Sequence, residues 1–281
     1  MQINFKNVTF FYNEKTFFKQ CVLKNINLDL TKEDFIAVIG KNGSGKSTII
    51  DLISCFLKPT EGCVIIDDFV NDKKKSDKKK LYNLRKKIGV LFQFSENQLF
   101  KDTVIDDVMF GVKNFYPEKN ARQEAERTLA LVGLDSSFYN RYPFELSSGE
   151  KRRVAIAGIL AYNPKLLILD EITVGLDVHS KKTLMKLLKN IQKTQKIKII
   201  LVTHDMDIVL KYANKVVLLD NGKIIKIGCP DEVLSNVAIE QFGMKIPNII
   251  KFTNLLKING FDKTKKHFFT INEVINSLKN E

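Results

Sequence analysis

A short glycine-rich stretch, VIGKNGSGKST, has the residue types and the spacing of a phosphate-binding loop. Gly40, Gly43 and Gly45 leave the backbone bare, so that consecutive N–H groups can curl around a phosphate chain. A helix that begins near Gly45 would point its unpaired N–H groups at the same anion. Lys46 can reach the outer phosphates, and the Ser47 hydroxyl can ligate a Mg²⁺ ion that bridges them.

Polar groups that could serve this phosphate site follow three apolar runs elsewhere in the chain. The run LLIL ends at Asp170, which can hold Mg²⁺, and Glu171 lies one residue beyond, where it can polarise an attacking water. His204 follows the run IILV and would contact the γ-phosphate. Gln93 follows IGVLF, and its amide could contact the magnesium or the water.

The segment ELSSGEKRRVAIAG, at 145–158, indicates a second helix N-terminus that could face an anion. Ser147, Ser148 and Gly149 open this helix, and Glu150 stands three residues after Ser147, as in a capping box. Taken alone, the pattern indicates no more than a well-capped helix.

The elements that must position these groups alternate between strands and helices. Buried strands are predicted at 35–40, 165–171 and 197–205, with further strands in CVIIDD and IGVLFQ. Helices between buried strands predict a mostly parallel sheet with helices on its faces. KVVLLDNGKIIKIG predicts a hairpin that turns at Asn221 and Gly222.

The segment 95–160 has no comparable strand pattern and is predicted to be a helical insertion. Pro117 is expected to open one of its helices, and Gly133 is expected to close it. The last fifty residues mix short helical and loop patterns. They suggest a small appendage that packs on itself or on a partner.

Amino-acid composition narrows the possible binding partners of the protein but does not identify one. The 281 residues are 44% hydrophobic and carry a formal net charge of +13, which allows an anionic ligand, an anionic membrane surface or nucleic acid as partner. Much of the excess is lysine, including the lysine-rich stretch at 72–87, and compositional bias with a solvated surface is the favoured explanation. The four cysteines have no zinc spacing and are interpreted as buried or inert thiols. We expect neither a signal peptide nor a membrane span.

The order of these motifs resembles that of the ATP-binding-cassette (ABC) ATPases. The phosphate-binding loop, Gln93, the LSSGE signature, LLILDE, the GLD that ends at Asp177 and His204 follow one another as in that family. The resemblance implies an α/β P-loop NTPase with a RecA-like core, an antiparallel β subdomain, a helical signature subdomain and a small C-terminal extension. It implies a nucleotide-binding domain at 1–230, with its helical subdomain at about 95–160, and a dimerisation extension at 231–281.

The same resemblance implies residue roles in binding and hydrolysing ATP with Mg²⁺. Tyr12 would stack on the adenine, and the signature of one subunit would contact the γ-phosphate bound to its partner in a head-to-tail dimer. The expected ATP-binding residues are Tyr12, Gly40, Asn42, Gly43, Ser44, Gly45, Lys46, Ser47, Thr48, Ser147, Ser148, Gly149 and Asp177. The expected magnesium ligands are Ser47, Gln93 and Asp170, and the expected catalytic residues are Glu171, His204, Lys46 and Gln93.

Two residues depart from the usual pattern of the family. Glu150 stands where Gln is usual and is expected to point away from phosphate, because a carboxylate there would repel it. Ile172 stands where Pro is usual and is expected to relax the turn after Glu171. Neither departure removes a catalytic group.

More narrowly, the stretches 89–111 and 151–177 resemble the ATPase subunits of energy-coupling-factor (ECF) transporters, which import vitamins and transition-metal ions. This implies three partners: a second ATPase subunit, which is either a paralogue or another copy of this chain, a transmembrane scaffold subunit and a substrate-binding membrane subunit. It also implies a peripheral place on the cytoplasmic face of the cell membrane and a coupling groove around Gln93–Phe100. The alternatives are the ATPase of another ABC importer or exporter, a DNA-repair or chromosome clamp, and a nucleotide sensor without catalysis. The clamp is disfavoured because no sustained heptads separate the motifs, so nucleic acid is not an expected partner.

Overall fold

The computed structural model describes residues 1–74, 76–234, 237–258 and 275. Ten strands are described, and their bounds are Ile3–Tyr12 (β1), Gln20–Asp29 (β2), Phe35–Gly40 (β3), Glu61–Ile66 (β4), Phe69–Asn71 (β5), Ile88–Leu91 (β6), Leu166–Asp170 (β7), Lys198–Val202 (β8), Lys215–Asp220 (β9) and Lys223–Gly228 (β10). The α-helices described are Lys46–Ile53 (α1), Lys78–Arg85 (α2), Val104–Phe115 (α3), Ala121–Leu131 (α4), Ser148–Ala161 (α5), Val178–Gln195 (α6), Met206–Tyr212 (α7), Pro230–Leu234 (α8) and Asn248–Ile258 (α9).

A six-stranded sheet forms the centre of the fold, with strand order β10-β9-β3-β8-β7-β6. All neighbouring pairs in it are parallel except β9–β10. Strands β3 and β8 are buried along their whole length, which explains their continuous apolar sequences. The parallel order brings the carboxyl ends of β3, β7 and β8 to one edge, where open α/β sheets bind ligands.

A second sheet, of order β2-β1-β4-β5, is wholly antiparallel. The run CVIIDD is therefore a strand, as its sequence predicts, but it lies in this smaller sheet and not in the parallel one. A core of apolar side chains fills the space between the two sheets and around α1, and it includes Phe5, Leu23, Ile36 and Ile200. The antiparallel β subdomain of the expected fold is thus present.

The region between β6 and β7 is helical in its described residues. Helix α3 begins after Thr103, whose hydroxyl accepts a hydrogen bond from the Asp106 N–H. The expectation that Pro117 opens the next helix is wrong. Helix α4 begins four residues later, because the Asn120 side chain caps it by accepting from the N–H of Gln123. Gly133, with φ at +76°, follows the end of α4 as predicted.

The hairpin of β9 and β10 turns at Asn221 and Gly222, as the sequence predicts. Both residues have positive φ, at 46° and 74°, as a tight two-residue turn requires. A Cβ on Gly222 would lie 2.2 Å from the Val22 carbonyl oxygen of β2, so the turn also needs glycine for close approach to the smaller sheet.

The described part of the C-terminal region packs on α7 and the large sheet and also on itself, where Lys251 pairs with Glu240 at 3.2 Å. Side chains of α8, α9 and the turns between them join Met206, Leu210 and Val216 in a third apolar core. The remainder of the expected extension, 259–281, lies outside the described residues apart from residue 275, and its proposed role in dimerisation stays a prediction.

None of the helices in the described ranges has the length and apolarity needed to cross a bilayer. The four cysteines are all free, with Cys229 exposed and the other three partly buried, so Cys229 meets the expectation only if its thiol is inert. Burial raises the pKa of Cys55 to about 12, which keeps that thiol protonated and inert.

Candidate functional site

The loop between β3 and α1 approaches its neighbours so closely that only bare backbone fits. A Cβ on Gly40 would lie 2.2 Å from the Leu219 carbonyl oxygen and 2.6 Å from Ser44 Oγ. A Cβ on Gly45, which has φ at +107°, would lie 2.6 Å from Leu23 Cδ2. The glycines therefore serve the folding of the loop as well as access to its N–H groups.

Lys46 and Ser44 lie inside this loop in a way that suits a phosphate chain. The buried Lys46 Nζ donates to the carbonyl oxygens of Gly40 at 2.7 Å and Lys41 at 2.8 Å. Ser44 Oγ is buried and has no hydrogen-bond partner in the described chain. In the same described region, no side chain caps the start of α1. The loop thus offers a cation and uncapped donors to an anion, so the residues fit a nucleotide triphosphate.

Strand β7 ends at Asp170, and Glu171 follows with φ at +51°, a left-handed conformation that is uncommon outside glycine. The Glu171 N–H donates to the Val202 carbonyl oxygen at 3.0 Å, which anchors the turn to β8. Burial raises the pKa of Glu171 to about 7, and the nearby Asp170 charge adds to that rise. Burial also raises the pKa of Asp170, while Lys46 and the Ser47 hydroxyl oppose the rise.

His204 lies directly beside Glu171. Its Nε2 is 3.0 Å from Glu171 Oε1. Burial and the charge of Lys46 lower the pKa of His204, so the imidazole is neutral at pH 7. The following residue, Asp205, caps α7 through the Ile208 N–H and pairs with Lys181 of α6 at 3.2 Å, and these contacts hold the chain next to His204 in place.

A cavity of about 550 Å³ brings most of the predicted site residues together. Its lining residues are Tyr12, Gln20, Val22, Asn42, Gly43, Gly45, Lys46, Ser47, Thr48, Gln93, Asp170, Glu171, Val174 and His204. The Tyr12 hydroxyl is 3.4 Å from Thr48 Oγ1, so β1 meets the start of α1 here. Gln20, Val22 and Val174 were not predicted. The first two belong to β2, whose place beside the loop follows from pairing between distant strands.

The predicted residues Ser147, Ser148, Gly149 and Asp177 do not line this cavity. The signature residues open α5, with Ser147 and Ser148 exposed to solvent. Asp177 caps α6 by accepting from the N–H groups of His179 and Ser180. A single chain therefore presents two separate surfaces, a phosphate loop and an exposed helix N-terminus.

Arg152 joins these two surfaces within the chain, and sequence reasoning missed it. This buried arginine of α5 donates from Nη1 to the carbonyl oxygens of Ile172 at 2.6 Å and Val174 at 3.3 Å. Ile172 itself is fully buried. Arg152 and core packing thus hold the turn after Glu171, and the expected effect of Ile172 in place of Pro stays a prediction.

Residues 23–174 match the family model described as "ABC transporter". This chain belongs to the ABC transporter family. The matched stretch contains the phosphate loop, Gln93, the signature and Glu171, while His204 lies beyond it. The resemblance that the motifs indicated is thus confirmed.

Relatives agree with this assignment over nearly the whole chain. The energy-coupling factor transporter ATP-binding protein EcfA2 of Streptococcus agalactiae is 43% identical over 282 residues, which cover 99% of each protein. Among solved structures, cbiO1 from Clostridium perfringens, described as part of the ABC transporter complex cbiONQ, superimposes with a TM-score of 0.74 at 35% identity, covering 90% of this chain and 98% of that one. The ATP-binding cassette MJ0796, in a dimeric post-hydrolysis state with ADP and Pi, has a TM-score of 0.71 at 31% identity, covering 81% of this chain and 98% of that one.

These similarities identify the chain as an ABC-type ATPase that binds ATP and confirm the predicted fold class. They also place it among the ATP-binding proteins of ECF transporters. The roles given to the individual site residues, including Glu171, His204 and Lys46, stay predictions, as does the Mg²⁺ ion.

Proposed function

We propose that this chain is the ATP-hydrolysing subunit of an ECF-type importer that takes up vitamins or transition-metal ions through partner membrane subunits. Its place would be peripheral, on the cytoplasmic face of the membrane. The observation that carries the proposal is the contact of Glu171 with His204 in the cavity that also holds Lys46. A chain that only senses nucleotide would not need a base and its orienting partner at this point.

The chemistry of the chain's own residues follows from this geometry. Glu171 accepts a proton from the attacking water, and His204 orients Glu171 and contacts the γ-phosphate. Lys46 exchanges its two carbonyl partners for phosphate oxygens, which are stronger acceptors because they are charged. Catalysis then consists mainly of positioning and of stabilising negative charge with groups that are already in place.

Ser47, Asp170 and Gln93 would hold the Mg²⁺ ion. All three line the cavity beside Lys46, and hydroxyl, carboxylate and amide oxygens are the ligand types that Mg²⁺ prefers. When bound, the ion neutralises charge on the outer phosphates. Tyr12 also lines the cavity, and its partly exposed ring is available to an adenine.

A second ATPase subunit would complete the site. The N-terminus of α5 is exposed to solvent at Ser147 and Ser148 but lies outside the cavity of its own chain. A head-to-tail pair would bring it to the γ-phosphate of the partner, where its dipole and N–H groups stabilise the anion. The structural relative MJ0796 is itself described as dimeric.

A groove of about 290 Å³ offers a place for a membrane subunit. Its lining includes Leu99, Phe100, Phe110, Phe115 and Tyr162. Leu99 and Phe100 belong to the segment that follows the predicted magnesium ligand Gln93 in the sequence. The rings of Phe100 and Phe110 stack edge-on at 4.9 Å, and both are substantially exposed. Exposed aromatic pairs of this kind are typical of protein interfaces, and helices of a membrane subunit would insert here.

Isolation of the native membrane complex tests this proposal. The tagged chain, extracted in mild detergent, is expected to bring down a second, different ATPase, one scaffold membrane protein and a small substrate-binding membrane protein, with Mg²⁺-dependent ATP hydrolysis. Recovery of a homodimer bound to an ordinary ABC permease would contradict the ECF assignment. Absence of any Mg²⁺-dependent affinity for ATP would contradict the assignment of the chain as an ATPase.

A further inference from the structure

Glu150, at the third position of α5, forms a capping box with the signature serine. Its Oε2 accepts hydrogen bonds from both the Ser147 backbone N–H and the Ser147 hydroxyl, each at 2.8 Å. The Glu150 N–H in turn donates to Ser147 Oγ at 3.3 Å. The hydroxyl proton of Ser147 is therefore committed to a carboxylate of its own helix.

That carboxylate is negatively charged at neutral pH. Hydrogen bonds from Ser147 hold the pKa of Glu150 below its usual value, with a further contribution from Arg153 and Arg141. A negative charge in the first turn of a helix also interacts favourably with the helix dipole. The Glu150 charge thus stabilises α5 in the isolated chain. In the proposed dimer, the γ-phosphate bound to the partner subunit would be a second anion at the same surface.

We propose that Glu150 is a positioning residue that sets the ATP concentration at which two ATPase subunits close. This rests on the proposed function, in which Ser147 contacts the γ-phosphate bound to the partner. For that contact, the Ser147 hydroxyl must turn its proton from Glu150 to the phosphate. The phosphate must also approach the Glu150 carboxylate, a like charge that is hydrogen-bonded to Ser147, and this opposes closure.

Glu150 therefore acts against closure in two ways, through the hydroxyl that it holds and through its own charge. Neither effect involves the phosphate loop, so the affinity of one subunit for ATP is unchanged. The capping box tolerates Gln at this position, because the amide oxygen accepts the same backbone hydrogen bond. Glu150→Gln consequently removes the charge while α5 keeps its cap.

The experiment compares the ATP concentration at half-closure with and without Glu150→Gln. The chain carries Glu171→Gln to prevent turnover and is paired with its companion ATPase, and closure is followed by size-exclusion chromatography or by energy transfer between labelled subunits. Glu150→Gln should lower the half-closure concentration by about threefold to tenfold at low salt. The difference should shrink as ionic strength rises, because salt screens interactions between charges near the surface.

The matched control is Glu126→Gln on α4, which removes one exposed carboxylate that pairs with Arg122. It should leave the half-closure concentration unchanged. An unchanged value for Glu150→Gln, with normal thermal stability, overturns the role of Glu150 and leaves the dimeric site intact. Binding of ATP to single subunits without closure in any variant instead overturns the proposed dimeric site itself, so the two failures are distinguishable.

Discussion

At the residue scale, the site depends on one glutamate held in an unusual place. Glu171 has a left-handed backbone, lies 3.0 Å from His204 and is largely buried beside Asp170. Strained residues of this kind persist only where the surroundings hold them, and here the hydrogen bond to Val202 and the packing of Ile172 do so. Burial of a carboxylate near a phosphate site is the condition that makes it a useful base.

Replacing Glu171 with Gln tests this role. Gln has nearly the same shape, so Mg²⁺-dependent ATP binding should persist, while the loss of the base should reduce turnover by about 10²-fold or more. Phosphate release and nucleotide affinity are measured on the same preparation, and the exposed Glu145→Gln serves as control. Near wild-type hydrolysis by Glu171→Gln would remove Glu171 from the mechanism.

At the scale of elements, α5 is tied to the turn after β7. Arg152 reaches across from α5 and satisfies the carbonyl oxygens of Ile172 and Val174. The same helix opens with the signature, so Arg152 links the helix that carries the signature to the turn that follows Glu171. Packing of α3 and α4 against α5 makes the three helices one apolar unit.

Loss of the Arg152 hydrogen bonds should destabilise the turn after β7 and slow ATP hydrolysis. Arg152→Ala leaves buried carbonyl groups without their donor, which costs about 1–3 kcal/mol, and several degrees of thermal stability are expected to be lost. Turnover should fall while ATP binding is kept. Arg127→Ala is the control, since its pair with Glu124 is on the surface and contributes little. If both variants melt at the wild-type temperature, the Arg152 hydrogen bonds contribute nothing measurable to the free energy of unfolding.

At the scale of the whole molecule, three separate surfaces are available to the three proposed partners. The cavity lies where the two sheets meet, the signature is on the exposed start of α5, and the aromatic groove lies beside α3. Each of the proposed partners, ATP, a second ATPase and a membrane subunit, therefore has its own surface. Helix α2 borders the groove, because the Tyr82 hydroxyl donates to the Asn114 carbonyl oxygen at 2.9 Å.

The groove can be tested apart from the ATP site. Phe100→Ala removes one member of the exposed ring pair, so the membrane subunit should no longer co-purify, while Mg²⁺-dependent ATP binding should be retained. Phe18→Ala removes a ring that is 83% exposed in a distant part of the sequence and should have no such effect. Retention of the membrane subunit by Phe100→Ala at wild-type yield would place the docking surface elsewhere.

Much of the fold was predictable because its signals are local. Continuous apolar runs identified the buried strands β3, β7 and β8, and positive φ at Asn221 and Gly222 was expected from their residue types alone. The start of α4 was not predicted correctly, because the helix begins after a side-chain cap at Asn120 and not at Pro117. Nor did local sequence distinguish CVIIDD as part of an antiparallel sheet, since this depends on pairing with β1.

For the site, the sequence alone determined the phosphate loop, the pair Asp170 and Glu171, and the order of the motifs. These depend on which residue types can expose N–H groups or end a buried strand, which is a property of neighbours in the chain. The capping box of Ser147 and Glu150 was likewise predicted from its three-residue spacing and is confirmed. Only the tertiary structure decided that Gln20 and Val22 line the cavity and that Arg152 holds the turn. Both are contacts between distant parts of the sequence, so local preferences could not specify them.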